Sequence, residues 1–315
     1  MATISADHIA SVSLKEADRD PEGFAQALGK SFEEYGFAVL ADHGIPDDLI
    51  HRAEEKAKAF FALPEETKRK YLIEGSGGAR GYTPFGIETA KGHKAHDLKE
   101  FWHVGRDLPE GHPFRSHMPD NIWPEEVPSF RDTFTELYAT FDKAGLQVLR
   151  AIARYLKIDE DYFADTVRDG NSVMRLLHYP PQPEPTGEHI RAGAHEDINT
   201  ITLLLGAEEA GLELKTRDGR WIPVSPKPGE LVINIGDMLQ RLTNGQLRST
   251  PHRVVNPTPD RASNARYSMP YFLHFRSDFL IEPLPGTVPA GEQPKWPPIT
   301  ANDYLQERLR EIKLK

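Results

Sequence analysis

The stretch that decides the fold is GAHEDINTITLLL, residues 193–205. Its second half, TITLLL, is a short apolar run rich in β-branched and aliphatic residues, which is typical of a buried strand. Its first half places His195 and Asp197 two residues apart. Because residues two apart on a strand point to the same face, we expect this imidazole and this carboxylate to lie side by side on a β core.

Further short apolar runs, separated by turn residues, surround this stretch from about residue 170 onward. Between two of them, Asp218–Gly219 is a strong signal for a hairpin turn. Such regularly spaced runs predict an antiparallel β-sandwich or barrel, so that the chain is mainly β with flanking helices, an α+β protein. The runs are SVMRLLHY (172–179), LELKT (212–216), WIPV (221–224), ELVINIG (230–236), HRVVNP (252–257) and RYSMPYFLHF (266–275).

Two of these runs carry further polar residues that complete a chemical pattern. His252 follows His195 by 57 residues, and Arg266 and Ser268 share one face of a later predicted strand. Two imidazoles and one carboxylate on one face of a metal form the donor set of non-haem Fe(II) oxygenases. A guanidinium with a hydroxyl can hold a carboxylate by charge-assisted hydrogen bonds. Each residue alone could be structural, but their conjunction in one β-rich segment favours metal chemistry.

In the first half and at the end of the chain, apolar residues recur at helical spacing, unlike the short apolar runs from residue 170 onward. The longest apolar stripe predicts a helix over 129–156, whereas 74–128 is rich in glycine and proline and predicts loops. The other predicted helices are 21–36, which stops at Gly36, 46–61, a short one from Pro64, and the tail 300–315.

Composition narrows the classes of protein to which the chain can belong. The 315 residues include 38 basic and 48 acidic ones, a net charge of −10, which argues against a general binder of nucleic acid or anionic membranes. No apolar run reaches the length of a spanning helix, and the N-terminus lacks the pattern of a secretory signal, so we expect a cytoplasmic protein. Cysteine is absent, which excludes disulfides, thiolate nucleophiles and iron–sulfur clusters. Any metal must therefore use His, Asp or Glu.

Over nearly its whole length, the sequence resembles the isopenicillin N synthase-like branch of the Fe(II)/2-oxoglutarate-dependent dioxygenases. The resemblance implies a double-stranded β-helix, or jelly roll, flanked by helices. The implied parts are an N-terminal helical and mixed region (1–128), a long helix packing on the core (129–169), the jelly-roll catalytic core (170–280) and a C-terminal tail with a helix (281–315). The matching stretches are EEYGFAVLADHGI (33–45), FFALPEETKRKY (60–71), GYTPFG (81–86), DLKEFWHVG (97–105), HYPPQPEP (178–185) and the core runs quoted above.

The resemblance also implies the roles of individual residues, with O₂ as the oxidant. His195, Asp197 and His252 would bind Fe(II). Arg266 and Ser268, helped by Tyr179, would hold the distal carboxylate of the co-substrate 2-oxoglutarate. One departure is that Leu177-His178-Tyr179-Pro180-Pro181 stands where many members have Asn-Tyr-Tyr-Pro-Pro, so one polar contact near the co-substrate is missing.

The glycine-rich stretch GSGGARGYTPFG (75–86) lies where family members line the entrance for the primary substrate. Small residues allow a loop to close over a ligand, and aromatic and basic side chains can then contact it. Arg80, Tyr82 and Phe85 are therefore candidate substrate contacts, with a surface loop as the alternative.

Three functions remain open on the residues. The favoured one is a 2-oxoglutarate-dependent oxygenase that oxidises a small molecule, with succinate and CO₂ as co-products. An oxidase of the isopenicillin N synthase type would use the Arg–Ser pair for its own substrate and need no 2-oxoglutarate. A non-catalytic sensor or binding module would keep only the jelly roll. We expect no nucleic-acid or membrane partner, and a monomer or a weak homodimer.

Overall fold

The computed structural model describes residues 9–75, 78–88, 96–182, 189–205 and 211–311. Within these ranges none of the helices is both long and apolar enough to cross a membrane. The helices are α1 (Glu16–Arg19), α2 (Pro21–Tyr35), α3 (Asp47–Phe61), α4 (Glu65–Arg69), α5 (Phe130–Tyr155), α6 (Tyr162–Val167), α7 (Asp237–Leu242) and α8 (Ala301–Glu311), with 3₁₀ turns at Pro113–Ser116 and Pro259–Arg261.

The strands form two main sheets. The large sheet has the order β1-β2-β10-β7-β12-β5-β4-β3, the small sheet has the order β6-β11-β8-β9, and β13 pairs with β14. Apart from the parallel pair β1–β2, the recorded ladders of both sheets are antiparallel. The strands are β1 (Ser11–Ser13), β2 (Phe37–Ala41), β3 (Gly81–Thr83), β4 (Glu100–Gly105), β5 (Val173–Tyr179), β6 (Ala192–His195), β7 (Ile201–Leu205), β8 (Leu212–Lys215), β9 (Trp221–Pro223), β10 (Leu231–Ile235), β11 (His252–Val254), β12 (Arg266–Leu273), β13 (Leu280–Ile281) and β14 (Ile299–Thr300).

Two apolar cores lie on opposite faces of the large sheet. The outer core packs helices α2, α3 and α5 against one face, with Leu203 and Tyr271 among its buried residues. The inner core joins the other face to the small sheet, so that Val232 of β10 and Leu214 of β8 belong to one cluster. This sandwich with helices on its outside is the predicted jelly-roll architecture.

Helix α2 shows how local sequence signals set an element. Asp20 accepts a hydrogen bond from the Gly23 backbone N–H, and Pro21 occupies the first helical position. Gly36 ends the helix with φ of 70°, a left-handed conformation that glycine adopts without strain. A side chain at Gly36 would also collide with Thr250, so this cap holds α2 close to the start of β11.

The large sheet draws strands from both halves of the chain. Its members β1, β2, β3 and β4 precede residue 128, and β4 pairs with β5 along its full length. The sequence predicted that 74–128 is loop-rich and either functional or interspersed with short elements, and β3 and β4 are two such short elements. The run Glu100–Gly105 is buried along its whole length and shows no alternation of polar and apolar residues, so it lacks the usual sequence pattern of a half-buried strand. The proposed domain boundaries stay a prediction.

Candidate metal and co-substrate site

His195, Asp197 and His252 converge in the space between the two sheets. One donor atom from each residue lies within 4.8 Å of the other two. Asp197 Oδ1 is 3.8 Å from His195 Nε2 and 3.7 Å from His252 Nε2. The predicted triad is therefore assembled by the fold.

Backbone carbonyls orient both imidazoles. His195 Nδ1 lies 2.7 Å from the carbonyl oxygen of Gly193, and His252 Nδ1 lies 3.0 Å from that of Thr250. Because a carbonyl oxygen can only accept, each Nδ1 carries the proton and donates it. Each Nε2 is left with its lone pair directed at the shared space, as metal coordination requires.

The two oxygens of the Asp197 carboxylate have different roles: Oδ2 accepts hydrogen bonds, and Oδ1 is available for a cation. Its Oδ2 accepts hydrogen bonds from Thr202 Oγ1 at 2.6 Å and from Asn234 Nδ2 at 2.7 Å. Burial would raise the pKa of Asp197, but the two imidazoles and these two donors outweigh it and lower the pKa below its ordinary value. Asp197 is thus ionised, with Oδ1 left to bind a cation.

Burial and a neighbouring histidine keep the His195 imidazole neutral. Burial and the nearby His252 lower the pKa of His195 to about 4. A neutral imidazole is the form that binds a metal, so the site is prepared at neutral pH. Two imidazole nitrogens and one carboxylate oxygen fit Fe(II), whose protein sites favour this donor set.

A β-bulge brings His195 to the inner face. In the ladder between β6 and β11, His252 pairs with His195 while Val254 pairs with Ala192. Two steps along β11 therefore match three steps along β6, which re-aims the end of β6. Bulges of this kind are common beside active sites.

The position of Asp197 differs from the one expected. Strand β6 ends at His195, so Asp197 lies in the following loop and does not share a strand face with it. The two residues meet because the loop is held by backbone hydrogen bonds, including one from the Asp237 N–H to the Asp197 carbonyl at 2.7 Å. Tertiary contacts, and not the period of a strand, place this ligand.

The three residues predicted to hold 2-oxoglutarate are also brought together. Arg266 and Tyr179 are direct cross-strand partners, and the guanidinium carbon of Arg266 lies 5.1 Å from the centre of the Tyr179 ring. Arg266 Nη1 donates to Ser268 Oγ at 3.1 Å. All three residues are buried.

The same face of the large sheet supports both groups. Arg266, Ser268 and Phe272 alternate along one face of β12, and Phe272 pairs with Thr202 of β7. Thr202 in turn holds Asp197. A ligand that extends from the triad to Arg266 would therefore stay within one interior.

Two of the three residues expected at the substrate entrance lie elsewhere. Tyr82 is fully buried in the outer core, where its hydroxyl donates to Glu100 and, at 3.0 Å, to Glu65. Arg80 is 2% exposed, and its guanidinium covers Gly105 at the end of β4. Packing thus removes both side chains from an entrance. Phe85 is 43% exposed, and residues 76–77 of this stretch lie outside the described ranges.

The sequence did not reveal a buried cluster of charges in the same interior. Lys99 Nζ lies 2.7 Å from Glu88 Oε2 and 2.8 Å from Asp97 Oδ2. Arg175 Nη1 reaches Glu88 at 3.1 Å, and its Nε donates to His103 Nε2 at 2.6 Å. In the sequence this cluster shows only as Asp97 and Lys99, two residues apart just before β4, because its other members come from distant segments.

The pKa values of this charge cluster follow from mutual neutralisation. Burial would lower the pKa of Lys99, but the Glu88 and Asp97 carboxylates outweigh it and raise the pKa above its usual range. Burial would likewise raise the pKa of Glu88, yet Arg175 and Lys99 hold it well below its ordinary value. Asp97 Oδ1 also accepts the Gly193 N–H at 2.9 Å, which ties the charge cluster to the strand of His195.

Comparison with known proteins agrees with this geometry. Residues 9–126 match the family model of the non-haem dioxygenase in morphine synthesis N-terminal region, and residues 170–275 match that of the 2OG-Fe(II) oxygenase superfamily. The 2-oxoglutarate-Fe(II) type oxidoreductase hxnY of Emericella nidulans is 36% identical over 89% of this chain and 82% of its own length.

Solved structures give the same result. A 2OG-Fe(II) oxygenase family protein from Caulobacter crescentus superposes with a TM-score of 0.90 at 58% identity, over 96% of this chain and 99% of its own. A Neurospora crassa protein, solved in complex with alpha-KG and thymine, gives a TM-score of 0.87 at 29% identity, over 98% and 99% of the two chains. With the triad, the buried arginine and these relatives together, the chain belongs to the 2OG-Fe(II) oxygenase superfamily and is a 2-oxoglutarate-dependent dioxygenase.

Proposed function

We propose that His195, Asp197 and His252 are the Fe(II) ligands of this dioxygenase. The observation that carries the proposal is that the Nδ1 atom of each imidazole and Oδ2 of the carboxylate are already engaged by protein groups. What remains are three ligand atoms whose mutual distances are within 4.8 Å, from a neutral His195 imidazole, the His252 imidazole and an ionised carboxylate. The Phe37 and His252 rings pack in a T-shaped arrangement with their centres 5.4 Å apart, which helps to keep that imidazole in place.

Arg266, Ser268 and Tyr179 hold 2-oxoglutarate at its distal carboxylate. A buried guanidinium offers a planar fork of donors that matches a carboxylate. The Tyr179 ring lies against this guanidinium and limits its rotation. Leu177, which replaces the family asparagine, belongs to the inner apolar core and excludes water beside the co-substrate.

Bound Fe(II) and 2-oxoglutarate would activate O₂, the oxidant, for attack on a C–H bond of the substrate, and 2-oxoglutarate would be oxidised to succinate and CO₂. The chain itself contributes orientation and a dry interior. Thr202 and Asn234 keep the carboxylate of Asp197 in one orientation, and the carbonyls of Gly193 and Thr250 keep the imidazoles in one tautomer. This preorganisation means that little rearrangement is needed at turnover.

The primary substrate is a small, polar molecule that binds toward the charge cluster of Glu88, Asp97, Lys99, His103 and Arg175. The Arg175 guanidinium stands 4.2 Å from the centre of the Phe101 ring and 5.5 Å from that of Phe272. Aromatic faces beside charged donors and acceptors suit a planar ring with polar edges. The Neurospora neighbour that binds thymine supports this class, and Phe85 remains a proposed contact at the entrance.

The proposal extends to the family branch, the location and the oligomeric state of the protein. The chain belongs to the isopenicillin N synthase-like branch, acts in the cytoplasm and works as a monomer or a weak homodimer. The quoted motifs support the branch, and the lack of a spanning helix in the described residues is compatible with the location.

The experiment that tests the function is O₂ uptake by the iron-loaded protein with and without 2-oxoglutarate, with succinate measured in parallel. Pyrimidines, amino acids and phenolics serve as trial substrates. We expect O₂ uptake to require 2-oxoglutarate and to yield succinate, with a rate increase for a matching substrate. Substrate-dependent O₂ uptake without 2-oxoglutarate would support the oxidase alternative instead.

A further inference from the structure

Helix α8 docks beside the loop that carries Asp197. The Tyr304 hydroxyl donates to Asp237 Oδ2 at 2.9 Å, and Arg308 Nε lies 3.6 Å from the same oxygen. Tyr304 and Asp237 are both buried. The C-terminal helix is thus fastened to the first residue of α7 by a buried hydrogen bond and an ion pair.

Asp237 also contacts Asp197, the proposed metal ligand, and so connects it to helix α8. Its backbone N–H donates to the carbonyl of Asp197 at 2.7 Å, and the N–H of the neighbouring Gly236 donates to Thr200 at 3.0 Å. A side chain at Gly236 would overlap the Asn199 backbone, so the two segments lie as close as glycine permits. Backbone hydrogen bonds therefore hold the loop 197–200 against the start of α7.

The Tyr304 hydroxyl stays protonated at neutral pH and is held in place by its surroundings. Burial and the adjacent Asp237 carboxylate raise the pKa of Tyr304, so its hydroxyl remains a donor. The Arg241 guanidinium lies 4.9 Å from the centre of the Tyr304 ring and holds it from the other side. Arg308 also interacts electrostatically with Glu196, the residue between His195 and Asp197.

We propose that Tyr304 and Asp237 are positioning residues that set the metal affinity of the site. The Tyr304 hydroxyl orients the Asp237 carboxylate, and the Asp237 N–H then holds the backbone of Asp197 so that Oδ1 faces both imidazoles. The inference rests on the proposed role of Asp197 as a metal ligand. It gives the C-terminal helix a part in the chemistry through its contact with Asp237 and not through a contact with the triad.

The chain offers a matched control for this proposal. Tyr271 is also buried, and its hydroxyl also donates to an aspartate, Asp142, but on the outer face of the large sheet. Tyr304→Phe and Tyr271→Phe each delete one buried tyrosine–carboxylate hydrogen bond. Only the first deletion lies on the path to Asp197.

The test is anaerobic titration of the full-length apoprotein with Co(II), a redox-inert probe whose visible spectrum reports coordination. We expect Tyr304→Phe to raise the Co(II) Kd about tenfold, because outer partners of metal ligands typically contribute tenfold or more. Tyr271→Phe should leave the Kd unchanged, while urea unfolding of both apoproteins shows a similar loss of stability. Arg308→Gln, at a partly exposed position, should raise the Kd in the same direction by less.

The outcomes separate this inference from the proposed function. Equal Co(II) affinities of wild type, Tyr304→Phe and Arg308→Gln would overturn the inference alone. An equal rise in Tyr304→Phe and Tyr271→Phe would also overturn it, because general loosening would then explain both. A wild type that binds Co(II) no better than Asp197→Ala would overturn the metal assignment and this inference with it.

Discussion

The two faces of the large sheet carry opposite chemistry, although alternate residues of the same strands build them. On β12, Arg266 and Ser268 face the space between the sheets, whereas Met269 and Tyr271 face the helices. The outer face is an apolar layer over α2, α3 and α5. One strand can therefore place binding groups on one side while its other side stabilises the fold, so binding and stability should respond to different substitutions.

The largest effect is expected at the inner face, at the metal ligands. Asp197→Ala removes the only carboxylate of the triad and leaves two imidazoles, so we expect stoichiometric Fe(II) binding and turnover to be lost. Iron content after anaerobic loading and dialysis measures the first, and succinate release measures the second. Wild-type iron content in this variant would mean that Asp197 is not a ligand.

At the outer face we expect a large effect on the free energy of unfolding and none on metal binding. Leu203→Ala creates a cavity where a fully buried side chain packs in the outer core, and such changes cost about 2–5 kcal/mol of unfolding free energy. The Fe(II) Kd of the folded protein should stay the same. Urea denaturation and metal titration on one preparation test both statements. A weakened metal site would show that the two faces are not independent.

Replacing the co-substrate arginine should give a smaller effect that remains on the inner face. Arg266→Lys keeps the charge but loses the planar fork. Because a charged hydrogen bond contributes about 1.5–3 kcal/mol, the KM for 2-oxoglutarate should rise about tenfold to a hundredfold per bond lost. Arg106→Lys is the control, since Arg106 pairs with Asp142 at 2.8 Å away from the inner face. A rise in the KM of the primary substrate alone would favour the oxidase alternative.

The smallest expected effect concerns pH. Burial lowers the pKa of His274 to about 4, against an ordinary value of 6.5. Below pH 6.5 the unfolded chain therefore binds a proton that the folded chain does not, so stability falls as the pH falls from 6.5 toward 4. Between pH 7 and pH 5.5 this residue should account for about 1 kcal/mol of the loss. His274→Gln should flatten the urea-derived pH profile by that amount, and an unchanged slope would contradict the prediction.

The candidate site was predictable to the extent that its groups follow fixed geometry. Arg266 and Ser268 alternate on a strand, and their shared face follows from the two-residue period. The pairing of Arg266 with Tyr179 did not follow from either stretch alone, because register is set by how whole strands pack. The burial of Tyr82 in the outer core did not follow from the glycine-rich stretch, because it depends on the pairing of β3 with β4.

Elements with strong local signals could be predicted from the amino-acid sequence: α2, which ends at Gly36, the hairpin at Asp218–Gly219, and the short apolar strands of the second half. These depend on caps, turns and periodicity, which act over a few residues. Only the tertiary structure decided the bulge that turns His195 inward, the loop that carries Asp197, the charge cluster around Lys99 and the docking of Tyr304 on Asp237. Each of these depends on contacts between segments that lie far apart in the chain. Such contacts form only in the folded protein, where each buried polar or charged group must have a partner.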